Sequence, residues 1–223
     1  MRLVDFLDKG ASLHPGDAPC LTMNGRSLSY ADVQRLSSSV GRALARSGIR
    51  PGDKVAVLSG NDPVAFGAVF GISRAGAVWC PVNPRNEAAE NRELLGLLDC
   101  RCLIFAAAFA PLVAKIAPDL PALTTLVCLD GDSGGVSGGA VGFGAWLAGV
   151  DDGPWQAEPV DDVVMIAGTG GTTGRPKGVM LTGRNLETVA ALALMSYPFA
   201  GSPVYLALAP LTHAAGKIGR AHV

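Results

Sequence analysis

The stretch VVMIAGTGGTTGRPKGV, residues 163–179, starts as an apolar run and passes without a break into glycines, threonines and two cations. VVMIA, residues 163–167, is short and rich in branched side chains, which predicts a buried strand. The cluster therefore follows a strand end, the place where open α/β sheets bind ligands. Its glycines let a backbone approach a ligand and permit positive φ, and its hydroxyls can donate to oxygen anions. Arg175-Pro176-Lys177-Gly178 adds a rigid turn and a mobile ammonium, a point charge suited to a polyphosphate. Thr169, Gly170, Gly171, Thr172, Thr173, Gly174 and Lys177 are thus candidate phosphate-binding residues, Lys177 with a catalytic share through its charge. The run is not a GxxxxGK[ST] loop, because Arg175 and Pro176 separate Gly174 from Lys177 and glycine follows the lysine. A Gly/Thr linker with a solvated lysine is the plain alternative.

Upstream, helix and strand patterns alternate from about residue 30, which predicts an α/β fold of layered, largely parallel sheet flanked by helices. Val33, Leu36, Val40, Ala43 and Leu44 recur on one helical face, and Gly48 ends that helix. The expected order continues as a strand at 54–59, a helix at 63–74, a strand at 77–82 and a helix at 87–98. A strand at 102–106, a helix near 110–117 and a strand at 124–130 follow. GDSGGVSGGAVGFG, residues 131–144, reads as an irregular surface loop because of its glycine content.

With 223 residues and 49% hydrophobic content, the chain can bury a sizeable core. Its 18 Lys plus Arg against 19 Asp plus Glu give a net charge of -1, which leaves no broad basic field for nucleic acid. Cys20, Cys80, Cys100, Cys102 and Cys128 are scattered through mostly apolar sequence and read as buried thiols in a reducing compartment. No cysteine or histidine pattern has zinc spacing, so no metal is assigned to them. Asp5 and Asp8 interrupt what a secretory signal would need as an apolar core, and no apolar run reaches the ~20 residues of a bilayer helix. The expectation is a cytoplasmic protein without a transmembrane segment. Its oligomeric state is not legible.

Thr169 to Val179 fits throughout the pattern T-[SG]-G-T-T-G-x-P-K-G-V and resembles the phosphate loop of the adenylate-forming superfamily, which includes acyl-CoA synthetases, luciferases and peptide-synthetase adenylation domains. The resemblance extends over nearly the whole chain. LSYAD at 28–32 is similar to the family's TYAEL, GIRPGDKVA at 48–56 to GVRPGDRVA, and RAGAVWCPVNPR at 74–85 to RAGAVYVPLNPR. PLTHAAG at 210–216 resembles P-[LM]-x-H-x-x-G, whose histidine lies by the acyl pocket, which makes His213 a candidate substrate-binding residue. Two positions depart from the pattern. Gly168 stands where many members carry an aromatic residue, and Gly183 where others have histidine.

The resemblance implies an ATP-dependent ligase, of fatty acyl-CoA synthetase type, that joins a carboxylic acid to AMP and then to a thiol such as coenzyme A, with magnesium assisting. A ligase loading a carrier protein and a non-catalytic phosphate-binding module remain as alternatives. It also implies that the magnesium glutamate, ribose aspartate, adenine segment and C-terminal lysine of such enzymes lie beyond this run of sequence. Residues 218–223, IGRAHV, are what ATC GGA AGA GCA CAC GTC encodes, as in a widely used short-read sequencing adapter. The adapter's preceding AG limits codon 217 to Lys, Glu, Gln or stop, and the residue is Lys217. The expected organisation is thus a partial N-terminal domain over 1–216, inactive alone, with an adapter-derived tail at 217–223.

Overall fold

The apolar face foreseen around Val33, Val40 and Leu44 becomes α2, Tyr30–Arg46, whose start is fixed by Ser29 accepting from Asp32 N at 3.1 Å while the Asp32 carboxylate accepts from Ser29 N at 2.9 Å. This reciprocal cap satisfies two amides that a helix start leaves orphaned. Gly48 at φ +80 turns the chain toward the first strand of the sheet, a conformation costly for other residues. The computed structural model describes residues 1–131, 139–156, 158, 162–169, 176–196, 199 and 201–208.

Before α2 come α1, Leu3–Leu13, and a hairpin of β1, Pro19–Met23, and β2, Arg26–Ser29. Then follow β3, Lys54–Leu58; α3, Pro63–Arg74; β4, Val78–Pro81; α4, Ala88–Leu97; and β5, Cys100–Phe105. The chain continues through α5, Ala110–Ile116; β6, Thr125–Cys128; β7, Val141–Gly142; and α6, Phe143–Leu147. β8, Val163–Thr169, β9, Lys177–Thr182, and α7, Gly183–Ser196, complete the described elements.

The sheet order is β7-β6-β5-β3-β4-β8-β9. Every pairing in it is parallel except β8 with β9. Helices cover both faces, as a parallel sheet requires. Val55, Val57, Trp79, Cys102 and Met165 pack on one side with α2 and α3, while Ala56, Leu58, Cys80, Leu103 and Ile166 pack on the other with α4 and α5.

The expected loop at 131–144 needs correction at its end. Val141 pairs with Val127 as β7, and Phe143 and Trp146 of α6 are buried in the core. Glycine content misleads here because Ala140, Val141 and Phe143 supply enough apolar surface to close the sheet edge. From α6 the chain returns to β8 along α2 and α3, pinned by guanidinium donors to carbonyls: Arg42 to Asp151 and Gly153, each at 2.8 Å, and Arg74 to Trp155 at 2.7 Å. Trp155 lies against Gly41, where an added Cβ would come within 2.4 Å of its ring. Arg74, itself buried, also pairs with Asp8 at 2.8 Å, so its charge is not left alone in the interior.

Candidate functional site

β8 enters the sheet beside β4, with Trp79 opposite Met165, and its residues Val164 to Ala167 are buried. The strand runs two residues beyond the expected 163–167, because Gly168 pairs with Gly178 and Thr169 with Lys177 across the antiparallel partner β9. The reading of Arg175 to Gly178 as a turn is therefore corrected at its second half: Lys177 and Gly178 are strand residues. Backbone pairing with β8 overrides the weak strand signal of a Lys-Gly start.

Side chains alternate across a strand, so a pair's neighbours on each strand face the opposite side. A Cβ on Gly168 would meet Leu94 Cδ1 at 2.8 Å, and one on Gly178 would meet Ile166 Cγ2 at 2.8 Å and Leu98 Cδ2 at 3.0 Å. That face belongs to α4. Leu94 and Leu98, one turn apart, fill the space of the missing side chains, which gives a packing reason for glycine where an aromatic residue was expected at 168. Thr169 and Lys177 are consequently together on the other face, both exposed, at the carboxyl end of β8. The Thr169 hydroxyl donates to the Lys177 carbonyl at 3.4 Å, a long contact that an anion could displace.

Gly170, Gly171, Thr172, Thr173 and Gly174 lie outside the described residues, as do Arg175, His213 and the tail at 217–223. The structure thus brings together Thr169 and Lys177, the two ends of the candidate loop. Along the same rim β3 ends at Leu58, β4 at Pro81 and β5 at Phe105. Asn61, just past β3, donates from Nδ2 to the Ala207 carbonyl at 3.0 Å. Sequence reasoning passed over Asn61. Its signal was an Asn-Asp-Pro start to α3, where Asp62 Oδ1 accepts from Ala65 N at 2.8 Å.

Cys80, Cys100, Cys102 and Cys128 are buried thiols as expected, and Cys20 is half-buried. Burial pushes Cys102 up to about 12 and Cys20 up to about 11, while a hydrogen bond with Cys80, then burial, raise Cys100. These sulfurs are poor nucleophiles at neutral pH. Among the described residues no three His, Cys, Asp or Glu side chains group as metal ligands, and no helix is long and apolar enough to cross a membrane.

The profile of the family described as AMP-binding enzyme matches residues 7–219. The feruloyl-CoA synthase of an Amycolatopsis species is 32% identical over 198 residues, which are 89% of this chain and 37% of that protein. The fatty acid–[acyl-carrier-protein] ligase ScoC of Streptomyces coeruleorubidus is 34% identical over 179 residues, 79% of this chain and 32% of the relative. Among solved structures, the anthranilate CoA ligase AuaEII in complex with anthranoyl-AMP superposes with a TM-score of 0.79 at 25% identity, covering 86% of this chain and 36% of that one. The chain thus spans well under half the length of these three proteins.

Proposed function

Because the chain belongs to the AMP-binding enzyme family, we propose that it forms the amino-terminal part of an ATP-dependent ligase that activates a carboxylic acid, of fatty acyl type, and transfers the acyl group to coenzyme A. The observation that carries this reading is the pairing of Thr169 with Lys177 on one open face at the end of β8. A hydroxyl and an ammonium side by side at a strand's carboxyl end suit the terminal phosphates of ATP.

In the reaction, a carboxylate oxygen attacks the α-phosphorus, the bond to the β-phosphate bridge breaks, and pyrophosphate leaves with the electron pair. The thiolate then attacks the acyl carbon and AMP departs. Lys177 holds the β and γ phosphates and offsets the charge that builds on pyrophosphate, with Thr169 and residues 170–174 supplying the remaining donors. Such preorganised charge acts on the transition state without reorganisation at the moment of reaction. Magnesium would add further positive charge to the phosphates when bound; none of the described residues forms a site for it. By its place in the PLTHAAG run, His213 is a substrate-binding residue in this reading and not a base.

A carrier-protein thiol as acceptor is the second reading, favoured by the similarity to the acyl-carrier-protein ligase. Acid-dependent exchange of labelled pyrophosphate into ATP tests the first half-reaction, and thioester formation with coenzyme A or a carrier protein separates the acceptors. On this proposal the full-length ligase exchanges, and Lys177→Ala reduces exchange by about 10²-fold or more. Exchange that persists at the wild-type rate in Lys177→Ala would remove the assigned role.

A further inference from the structure

We infer that Arg74 is a positioning residue for the phosphate site: it holds the strap of chain that feeds β8, and so sets how far Thr169 and Lys177 stand beyond the sheet. The inference rests on the phosphate-binding reading of those two residues. β8 joins the sheet sparsely. Between β3 and β4 the register runs through Lys54 with Val78, Val55 with Trp79, Ala56 with Cys80 and Val57 with Pro81, whereas among the described residues β4 and β8 share the single pair Trp79 with Met165. β9, the edge strand, pairs to β8 alone. A ladder of one pair resists sliding along the strand weakly, because each further pair adds hydrogen bonds that fit one register only. The height of the β8–β9 hairpin therefore draws on what holds its entering chain.

That chain is held by Arg74, the last residue of α3, whose side chain is buried. Nε donates to Ser37 Oγ of α2 at 3.0 Å, Nη2 to Asp8 Oδ1 of α1 at 2.8 Å, and Nη1 to the Trp155 carbonyl of the strap at 2.7 Å. The Arg74 carbonyl accepts from Glu158 N at 2.9 Å. One residue thus fixes the strap at two points, the second of them five positions before β8 begins at Val163. The planar fork permits this three-way hold, since a lysine ammonium is a point charge that can keep Asp8 but cannot span Ser37 and Trp155 as well. Trp155 is also seated by α2, where a Cβ on Gly41 would overlap its ring. Arg74 itself touches neither ATP nor acid in this arrangement.

The test uses the full 223-residue chain, with tripolyphosphate as the ligand and the amide resonances of Thr169 and Lys177 as the readout. Arg74→Lys removes the hold on Trp155, and Gly41→Ala displaces the Trp155 ring without touching the buried charge, so the test survives if the first variant fails to fold. Asp8→Asn weakens the buried ion pair while leaving the fork on the strap. Arg74→Lys and Gly41→Ala should each shift both resonances, leave those of β5 and β6 fixed, and weaken tripolyphosphate binding about fivefold, the equivalent of one ordinary hydrogen bond. Asp8→Asn should lower the unfolding midpoint with both resonances and the affinity unchanged. Unmoved resonances in the two strap variants overturn the positioning role, and so does a shift in Asp8→Asn as large as theirs, which would mean general loosening. Failure of the phosphate reading appears separately, as a wild-type chain that binds no tripolyphosphate whatever the resonances of the variants do.

Discussion

β8 and β9 are antiparallel partners in unbroken register from Met165 to Thr169, with one irregularity between Val163 and Met165, yet they inhabit different parts of the protein. β8 lies between β4 and β9, and Met165 is 1% exposed under the α2 and α3 layer. β9 is the edge of the sheet, with Val179 at 44% and Met180 at 66% exposure, and the following helix α7 shows Leu192, Leu194 and Met195 to solvent. The candidate phosphate loop joins these two. One of its ends, Thr169, is fixed by the core, and the other, Lys177, is held chiefly by pairing to the first. In the grip proposed above, the buried strand would fix position and the exposed edge strand would carry the charge.

The sharpest contrast to test is between two methionines on paired strands. Met165→Ala should cost about 2–5 kcal/mol of unfolding free energy, since it opens a cavity in the packed core. Met180→Ala should fall within about 0.5 kcal/mol of wild type, as exposed substitutions do. Chemical denaturation of both variants measures this. Equal losses would mean that β9 is as deeply integrated as β8, and the comparison would fail.

That contrast was only half legible in sequence. VVMIA announced a buried strand because its apolar residues face both sides, and the same continuous signal identified β3, β4, β5 and β6 to within about two residues at most ends. β9 gave no such signal. KGVMLT mixes a cation, a glycine and exposed apolar groups, and only its hydrogen bonds to β8 make it a strand. The hairpin before α2 had a readable sign that went unused: Asn24-Gly25, with φ of 52 and 75, is the turn pair such hairpins favour. β7 and α6 were hidden by the glycines around them. Of the candidate site, the loop is proposed from composition and family pattern. The common face of Thr169 and Lys177 is not, because it depends on a register that only the folded pair defines.

A smaller effect separates the same two regions through their helix caps. Ser29 caps α2, and Thr182 caps α7 in the same reciprocal manner, with its hydroxyl accepting from Asn185 N at 3.2 Å and Asn185 Oδ1 accepting from Thr182 N at 2.9 Å. Ser29→Ala should lower global stability by about 1 kcal/mol. Thr182→Ala removes an equivalent bond but should mainly raise local fraying of α7, with a smaller change in the global midpoint. Thermal unfolding combined with amide exchange distinguishes them. A global loss from Thr182→Ala equal to that from Ser29→Ala would show that α7 unfolds only with the core.

The central claim is that the junction of β8 and β9 grips a polyphosphate, and it is tested most directly by labelling the chain with an ATP-derived acyl phosphate that acylates lysines near the bound phosphates. Lys9, Lys54, Lys115, Lys177 and Lys217 compete for the reagent. The account predicts preferential labelling of Lys177, suppressed by excess inorganic tripolyphosphate and weakened by Thr169→Val, even where ATP affinity of this chain is too low for robust exchange. Labelling spread evenly over the lysines, or unaffected by tripolyphosphate, would contradict it.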